Sequence, residues 1–232
     1  MYLGGLLTIL FYIIFLIIGW GLFPNPASSL DHWLSDLGRY EVPADGGTVW
    51  RIINGEFKVF SEIFIPPMSN PGAIWYNLAF ILAGLSMFFF FSGFLQYKEK
   101  GDDKFKIINY LIMGLGFIGS IFLILIGIFS EDGIFLIRID AELSYPIHHT
   151  VTMIFFIILL IIKVLAGYWA WQLNLNRLIS IYSWVIIIFD LIVIFTGNSF
   201  AAIEWTFVLT SLGLVGILDL GIYFSELKNK IS

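Results

Sequence analysis

Six long apolar segments constrain what this chain can fold into more than any other feature. They occupy residues 3–23, 73–97, 107–129, 148–171, 178–196 and 201–224. A helix needs about 20 mostly apolar residues to cross the hydrocarbon core of a bilayer. Because lipid cannot satisfy backbone N–H and C=O groups, such segments cross it as helices. The sequence therefore predicts an all-α integral membrane six-helix bundle, with residues 1–232 forming a single transmembrane domain.

The composition excludes several classes of protein. Of the 232 residues, 59% are hydrophobic and 12% are charged, whereas soluble domains carry about 25% charged residues. This excludes a soluble enzyme and a disordered chain. The net charge of −5 opposes binding to a phosphate backbone, so no nucleic-acid partner is expected. The absence of cysteine excludes disulfides and cysteine-based metal sites.

The basic residues predict the orientation of the bundle. Lysines and arginines are enriched in cytoplasmic links, and one side of the predicted bundle carries Lys98, Lys100, Lys104, Lys106, Arg177, Lys228 and Lys230. The opposite side carries Arg39, Arg51, Lys58 and Arg138. We therefore expect a cell-membrane protein with both termini cytoplasmic. The first segment lacks the basic start of a signal peptide and is longer than its apolar core, so we expect it to remain as a span.

The long outer loop, residues 24–72, contains too many apolar side chains for a flexible linker. Structureless loops of this length are uncommon inside compact domains. We expect a partly helical loop with amphipathic pieces at residues 29–39 and 48–64. These pieces would lie on the bundle or in the membrane interface.

Polar residues converge on the side of this loop. Because alternate links share one side of a bundle, this convergence does not depend on which side is outside. The loop contributes Asp31, His32, Ser35, Asp36, Arg39 and Glu41, the next outer link Glu131, Asp132, Arg138, Asp140 and Glu142, and the adjoining segments His148, His149, Asn198 and Glu204. Polar groups near hydrocarbon are costly and commonly functional.

These residues divide into candidate roles. The catalytic candidates are His148, His149, Glu131, Asp36 and Ser35, and the ligand-binding candidates are Arg39, Tyr76, Asn77, Asn198 and Glu204. Alternatively, Ser35 or Asp31 caps a short helix, Arg39 pairs with a carboxylate, and Tyr76 and Asn77 belong to the start of a span with its interfacial aromatic residues. A hydrogen bond between Glu131 and His148 is also expected.

A divalent metal cofactor is a further hypothesis, with His32, His148 and Glu131 as candidate ligands. Histidine and carboxylate suit zinc, manganese and iron. However, His148 and His149 project about 100° apart on a helix, and no HxxxH or HExxH spacing occurs. These observations favour the alternative in which the residues hydrogen-bond to one another and to loop backbone.

Three charges lie within the apolar segments: Lys163, Asp190 and Asp219. Their depth suggests a pair between Lys163 and Asp219, with Asp190 nearer the midplane. Such charges form structural pairs, extend to the membrane interface as a lysine can, or mark a transport path. The lack of a continuous polar ladder favours a structural pair, or snorkelling of Lys163 to the interface, over transport.

Short motifs carry a resemblance to a known family. Ser35-Asp36-Leu37-Gly38, Asn70-Pro71-Gly72-Ala73, Tyr76-Asn77, Gly127-Ile128-Phe129-Ser130-Glu131 and His148-His149 occur in this order. The pattern resembles a prokaryotic membrane family, domain of unknown function nine-nine-eight, and is distantly similar to the eukaryotic Frag/DRAM/Sfk group. The resemblance implies a six-helix bundle with no established reaction, and the eukaryotic group is linked to lipid handling. Here GIFSE replaces the expected GxFPE.

Three functions remain open from the sequence. The first is lipid binding or scaffolding at the outer face, with membrane lipids as partners. The second is a metal-dependent hydrolase or transferase acting on lipid headgroups, although the GxSG, PSGH and HxxxH patterns of known membrane hydrolases are absent. The third is a transporter, or a subunit that binds partner membrane subunits.

Overall fold

The computed structural model confirms the predicted membrane bundle. It describes residues 1–24, 27–30, 32–43, 50–53, 56–59, 66–132, 136–138, 144–196 and 201–231. Six helices within them are long and apolar enough to cross a membrane. They are α1 (Tyr2–Gly21), α2 (Ala73–Ser92), α3 (Asp103–Ile128), α4 (Ile147–Gln172), α5 (Arg177–Thr196) and α6 (Ala201–Ile231).

The helices pack in chain order, each against the next, and α6 also packs against α1. Glycine allows α1 and α2 to approach closely, because a Cβ atom at Gly4 would clash with the backbone of Phe90. Membrane helices rely on such close packing, since lipid provides no hydrophobic force between them. A short 3₁₀ helix, Gly93–Tyr97, continues α2, so that the predicted second span, 73–97, ends at the observed position.

The links contain short β-structure in addition to a helical turn. A 3₁₀ helix, Leu34–Gly38, lies within the predicted piece 29–39. Three antiparallel pairs join β1 (Glu41–Pro43) to β4 (Pro67–Ser69), β2 (Trp50–Ile53) to β3 (Glu56–Val59), and β5 (Leu136–Arg138) to β6 (Ser144–Pro146).

The piece at 48–64 therefore corrects the expectation of an amphipathic helix. Its described part is a hairpin in which Trp50 pairs with Val59 and Ile53 pairs with Glu56. The sequence contains the reason: Asn54-Gly55 separates two runs rich in β-branched and aromatic residues. An Asn-Gly pair in that position is the strongest short-range hairpin signal.

A buried ion pair joins α4 to α5. Lys163 Nζ donates to Asp190 Oδ2 at 2.5 Å, and both side chains are almost completely buried. Ser183 Oγ on α5 also donates to the Lys163 carbonyl oxygen at 2.5 Å. The expected partner, Asp219, instead packs against Gly5 of α1. The predicted pair of Lys163 with Asp219, which rested on their similar depth in the membrane, was therefore wrong. Lys163 lies on the face of α4 that packs against α5.

Removing only one member of this pair should be more harmful than removing both. Lys163→Met leaves the Asp190 carboxyl unpartnered, and breaking a buried pair costs about 3–5 kcal/mol. Lys163→Met/Asp190→Leu should restore much of this loss, because an apolar replacement of both partners is often neutral. Thermal unfolding in detergent would measure both variants.

The control is Lys106→Met, which removes a pair whose side chains are 38% and 94% exposed. It should cost at most about 1 kcal/mol. A double variant less stable than Lys163→Met would contradict the expected order.

Candidate functional site

The 3₁₀ helix Leu34–Gly38 is held at one end of the bundle by amide side chains. Leu34 and Leu37 are fully buried. Asn70 Nδ2 donates to the carbonyl oxygens of Leu37 at 3.1 Å and Arg39 at 2.8 Å. Asn77 Nδ2 donates to the Gly38 carbonyl oxygen at 3.0 Å. These bonds satisfy buried backbone acceptors, so Asn70 and Asn77 position the segment that bears Ser35, Asp36 and Arg39.

Glycine is required where this segment meets α2. A Cβ atom at Gly38 would lie 2.7 Å from both Asn77 Oδ1 and the Tyr76 ring. Tyr76 is buried and its ring packs 5.0 Å from Phe80. Tyr76 and Asn77 therefore form the surface of α2 on which the Ser35–Gly38 segment packs.

Arg39 lies between two carboxylates. Its Nη2 is 2.6 Å from Glu131 Oε1, and its Nε is 3.4 Å from Asp36 Oδ1. Asp36 Oδ2 also accepts a hydrogen bond from the Trp33 amide at 3.0 Å. The guanidinium thus ties the first loop to the end of α3, as the ion-pair alternative predicts.

Glu131 is also linked to α4, because His149 Nε2 lies 3.6 Å from Glu131 Oε1. Burial alone would raise the pKa of Glu131, but the hydrogen bond from His149 and the charge of Arg39 outweigh it. Together they lower the pKa of Glu131 to about 2. The histidine in contact with Glu131 is thus His149 rather than the expected His148, whose Nδ1 lies at the Phe129 carbonyl oxygen. The Glu131 carboxyl is ionised at neutral pH.

His148 points its ring at the end of α3. Its Nδ1 is 2.6 Å from the Phe129 carbonyl oxygen, and a carbonyl can only accept, so Nδ1 carries the proton. In the neutral ring this leaves the lone pair on Nε2. The side chain is held in one tautomer at the boundary between the loops and the bundle.

Glu204 connects α6 to the same segment. Its Oε2 accepts from both the amide and the hydroxyl of Ser35, each at 3.4 Å. Asp132 accepts from the Tyr40 and Glu41 amides at 2.6 and 2.9 Å. Residues from the first loop, the end of α3 and two helices therefore meet at one end of the bundle.

The metal-ligand set His32, His148 and Glu131 is not assembled. The described residues contain no group of three histidine, aspartate or glutamate side chains placed to hold a metal ion. His32 is fully buried, its Nδ1 accepts from the Ser28 amide at 3.3 Å, and its ring meets Phe23 edge-on. This local environment engages His32 separately from the Glu131 cluster. Asp31, Asp140, Glu142 and Asn198 lie outside the described residues.

Three cavities meet beside these residues. The first, called the mouth, has a volume of about 680 Å³ and is lined by Trp33, Ser35, Arg39, Glu131, His148, His149, Thr152, Met153, Phe156 and Glu204. The second, called the central cavity, has a volume of about 70 Å³ and descends inside the bundle. Its walls include Tyr12, Phe80, Ala83, Met87, Phe155, Leu159 and Val215.

The third, called the lateral groove, has a volume of about 500 Å³ and lies between α4, α5 and α6. Phe156 and Glu204 line all three spaces. The mouth therefore borders two separate apolar spaces at these two side chains.

Two buried hydroxyls line the central cavity without a hydrogen-bond partner among the described residues: Tyr12 OH and Thr152 Oγ1. Buried polar atoms are nearly always paired, with protein or with a bound molecule. A cavity of this size exceeds several times the roughly 10–15 Å³ that one water needs. The two hydroxyls are therefore available to bind a polar atom of water or of a ligand in the cavity.

Comparison of the sequence with known protein families identifies its family. The sequence model of the family "Protein of unknown function (DUF998)" matches residues 58–222. The chain belongs to this family. No curated protein and no solved structure matches the chain. A relation to the Frag/DRAM/Sfk group is not shown by the match. The DUF998 segment includes Glu131, His148 and Glu204 but begins after the Ser35–Gly38 motif.

The sequence prediction missed the residues that shape the cavities. Tyr12, Thr152 and Phe156 are embedded in apolar segments, where composition alone makes them unremarkable members of a span. Thr152 offered one signal, because it follows His148 by one helical turn and so shares its face. Phe156 continues the same face by another turn.

The low pKa of Glu131 predicts a pH-dependent contribution to stability. A carboxyl whose folded pKa is about 2 and whose unfolded pKa is about 4.3 stabilises the fold above about pH 4.3. That contribution falls as the pH drops toward 2. Glu131→Gln should therefore be less stable than the parent protein at pH 7, and the difference should shrink below about pH 4.

Thermal unfolding in detergent at pH 7, 4 and 3 measures this difference. Glu99→Gln is the control, because Glu99 is exposed in the link between α2 and α3. A stability gap for Glu131→Gln that stays constant down to pH 3 would show that the ion pair does not carry it.

Proposed function

We propose that this protein binds a membrane lipid, with the headgroup in the mouth and the first part of an acyl chain in the central cavity. The observation that carries the proposal is that the two spaces adjoin, with Ser35, His148 and Thr152 in the walls of both. A polar opening beside an apolar cavity matches the structure of an amphiphile. By the distribution of lysine and arginine, this site lies at the outer face of the membrane.

Selectivity must come mainly from the polar end. An acyl chain gains little by moving from bilayer to protein, because lipid tails are as apolar as the cavity walls. Shape and hydrogen bonding then decide which lipid is retained. The Thr152 and Tyr12 hydroxyls are donors that an ester carbonyl of a lipid would satisfy.

The charges of the mouth favour a headgroup without net negative charge. Arg39 is already paired with Asp36 and Glu131, so it is not a free clamp for phosphate. These two carboxylates share one guanidinium, so one negative charge is left in excess. A zwitterionic, cationic or neutral headgroup avoids repulsion from it.

Hydrolysis of the bound lipid is a second candidate function, favoured by the orientation of His148. Its Nδ1–H is fixed on the Phe129 carbonyl, which leaves Nε2 as the basic nitrogen at the mouth. Such a histidine is placed to accept a proton from water. Incubation with defined lipids and mass spectrometry of the products would test this function, with His148→Gln expected to abolish any product.

Filling the central cavity should expel the lipid. Ala83 lines the cavity and is almost fully buried, so Ala83→Leu places a branched side chain in that space. Native mass spectrometry of protein purified in mild detergent should show about tenfold less bound lipid than the parent protein.

The matched control is Gly114→Leu on α3, where an added Cβ meets no atom within 4 Å. This variant should retain its lipid. A folded Ala83→Leu protein that carries as much lipid as Gly114→Leu would refute binding in the central cavity.

A further inference from the structure

The lateral groove gives the site a second apolar arm. Its walls are formed by Met153, Ile157 and Leu160 on α4, Val193 on α5, and Ile203 and Phe207 on α6. It shares Trp33, Phe156 and Glu204 with the mouth. A molecule held in the mouth therefore lies beside this groove as well as beside the central cavity.

Helix α4 acts as the partition between the two arms. Thr152, Phe155 and Leu159 line the central cavity, whereas Met153, Ile157 and Leu160 line the groove. Each set follows the spacing of one helical face, so the two faces are neighbouring stripes of the same helix. Phe156 lies where the stripes meet and borders both arms.

Both arms extend from the mouth toward the other end of the bundle, and their lengths can be taken from the residues of α4 that line them. From Thr152 to Leu159 the central cavity extends about 10 Å along α4, at 1.5 Å of rise per residue. From Met153 to Lys163 the groove extends about 15 Å by the same measure. The Lys163–Asp190 pair joins α4 to α5 and forms part of the wall at the lower end of the groove.

From this branched geometry we infer that the bound lipid has two acyl chains, one in the central cavity and one in the lateral groove. This inference rests on the proposed function. The glycerol backbone would lie near Phe156 and Glu204, where the arms diverge. The unpartnered hydroxyls of Tyr12 and Thr152 lie on the central arm, so a chain ester entering that arm meets hydrogen-bond donors. A single-chain lipid would leave one apolar arm unfilled.

The test compares lipids that differ only in chain number. Delipidated protein is incubated with an equimolar mixture of phosphatidylcholine and lysophosphatidylcholine of the same acyl chain, and bound lipid is measured by native mass spectrometry. The zwitterionic headgroup suits the acidic mouth. The parent protein should prefer the two-chain lipid by about tenfold.

Blocking the groove should remove this preference. Val193→Trp places an indole between α5 and α4, and should lower two-chain binding by about tenfold while lysolipid binding stays within about twofold. Val185→Trp is the matched control, since Val185 is on the same helix, 56% exposed, and should change neither. If Val193→Trp does not fold, Ile194→Trp, also on the groove, replaces it.

The outcomes separate the two proposals. Equal binding of both lipids by the parent protein, or unchanged two-chain binding in the groove variant, overturns the two-arm inference but leaves lipid binding in place. Failure of the parent protein to bind either lipid overturns the proposed function and the inference together. Selective loss of the two-chain lipid in the groove variant supports both.

Discussion

The ion pair between Arg39 and Glu131 is the contact on which the loop end of the structure depends. It joins the long first loop, at a point between the buried Leu37 and Val42, to the link that follows α3, at 2.6 Å. Asp36 and His149 extend the pair into a network across three elements. Because buried charges are tolerated only when paired, the position of each member determines that of the next.

The short 3₁₀ helix depends on that network and shapes the site in turn. Asn70 and Asn77 hold its carbonyl groups, and Gly38 allows it to rest on Tyr76. Its Ser35 then reaches Glu204 on α6. The segment covers part of the bundle end without filling the central cavity, so the opening beside His148 remains. Membership of the DUF998 family fits a site whose polar residues lie mostly within the matched segment.

Particular residues show how far prediction from sequence reached. The spans were accurate to a few residues, because hydrocarbon thickness sets their length. The convergence of Glu131, His148 and Glu204 followed from the number of spans alone. The hairpin of β2 and β3 was not predicted, because the apolar residues at 48–64 indicated only an amphipathic piece. The Asn54-Gly55 pair is the sequence signal that indicates a hairpin there. The partner of Lys163 was wrong because depth along a helix does not specify the direction in which a side chain points.

The sequence by itself determined that this is a multi-pass membrane protein whose polar residues gather at one end. The length of each apolar segment and the number of spans can be counted along the sequence, and together they fix which links lie on the same side of the membrane. Only the tertiary structure decided which residues touch and where space remains. Those depend on how each helix is rotated against its neighbours, and the rotation is set by the joint packing of residues such as Gly4, Phe156 and Lys163 from several helices. The branched cavity is a product of that packing, and no single segment encodes it.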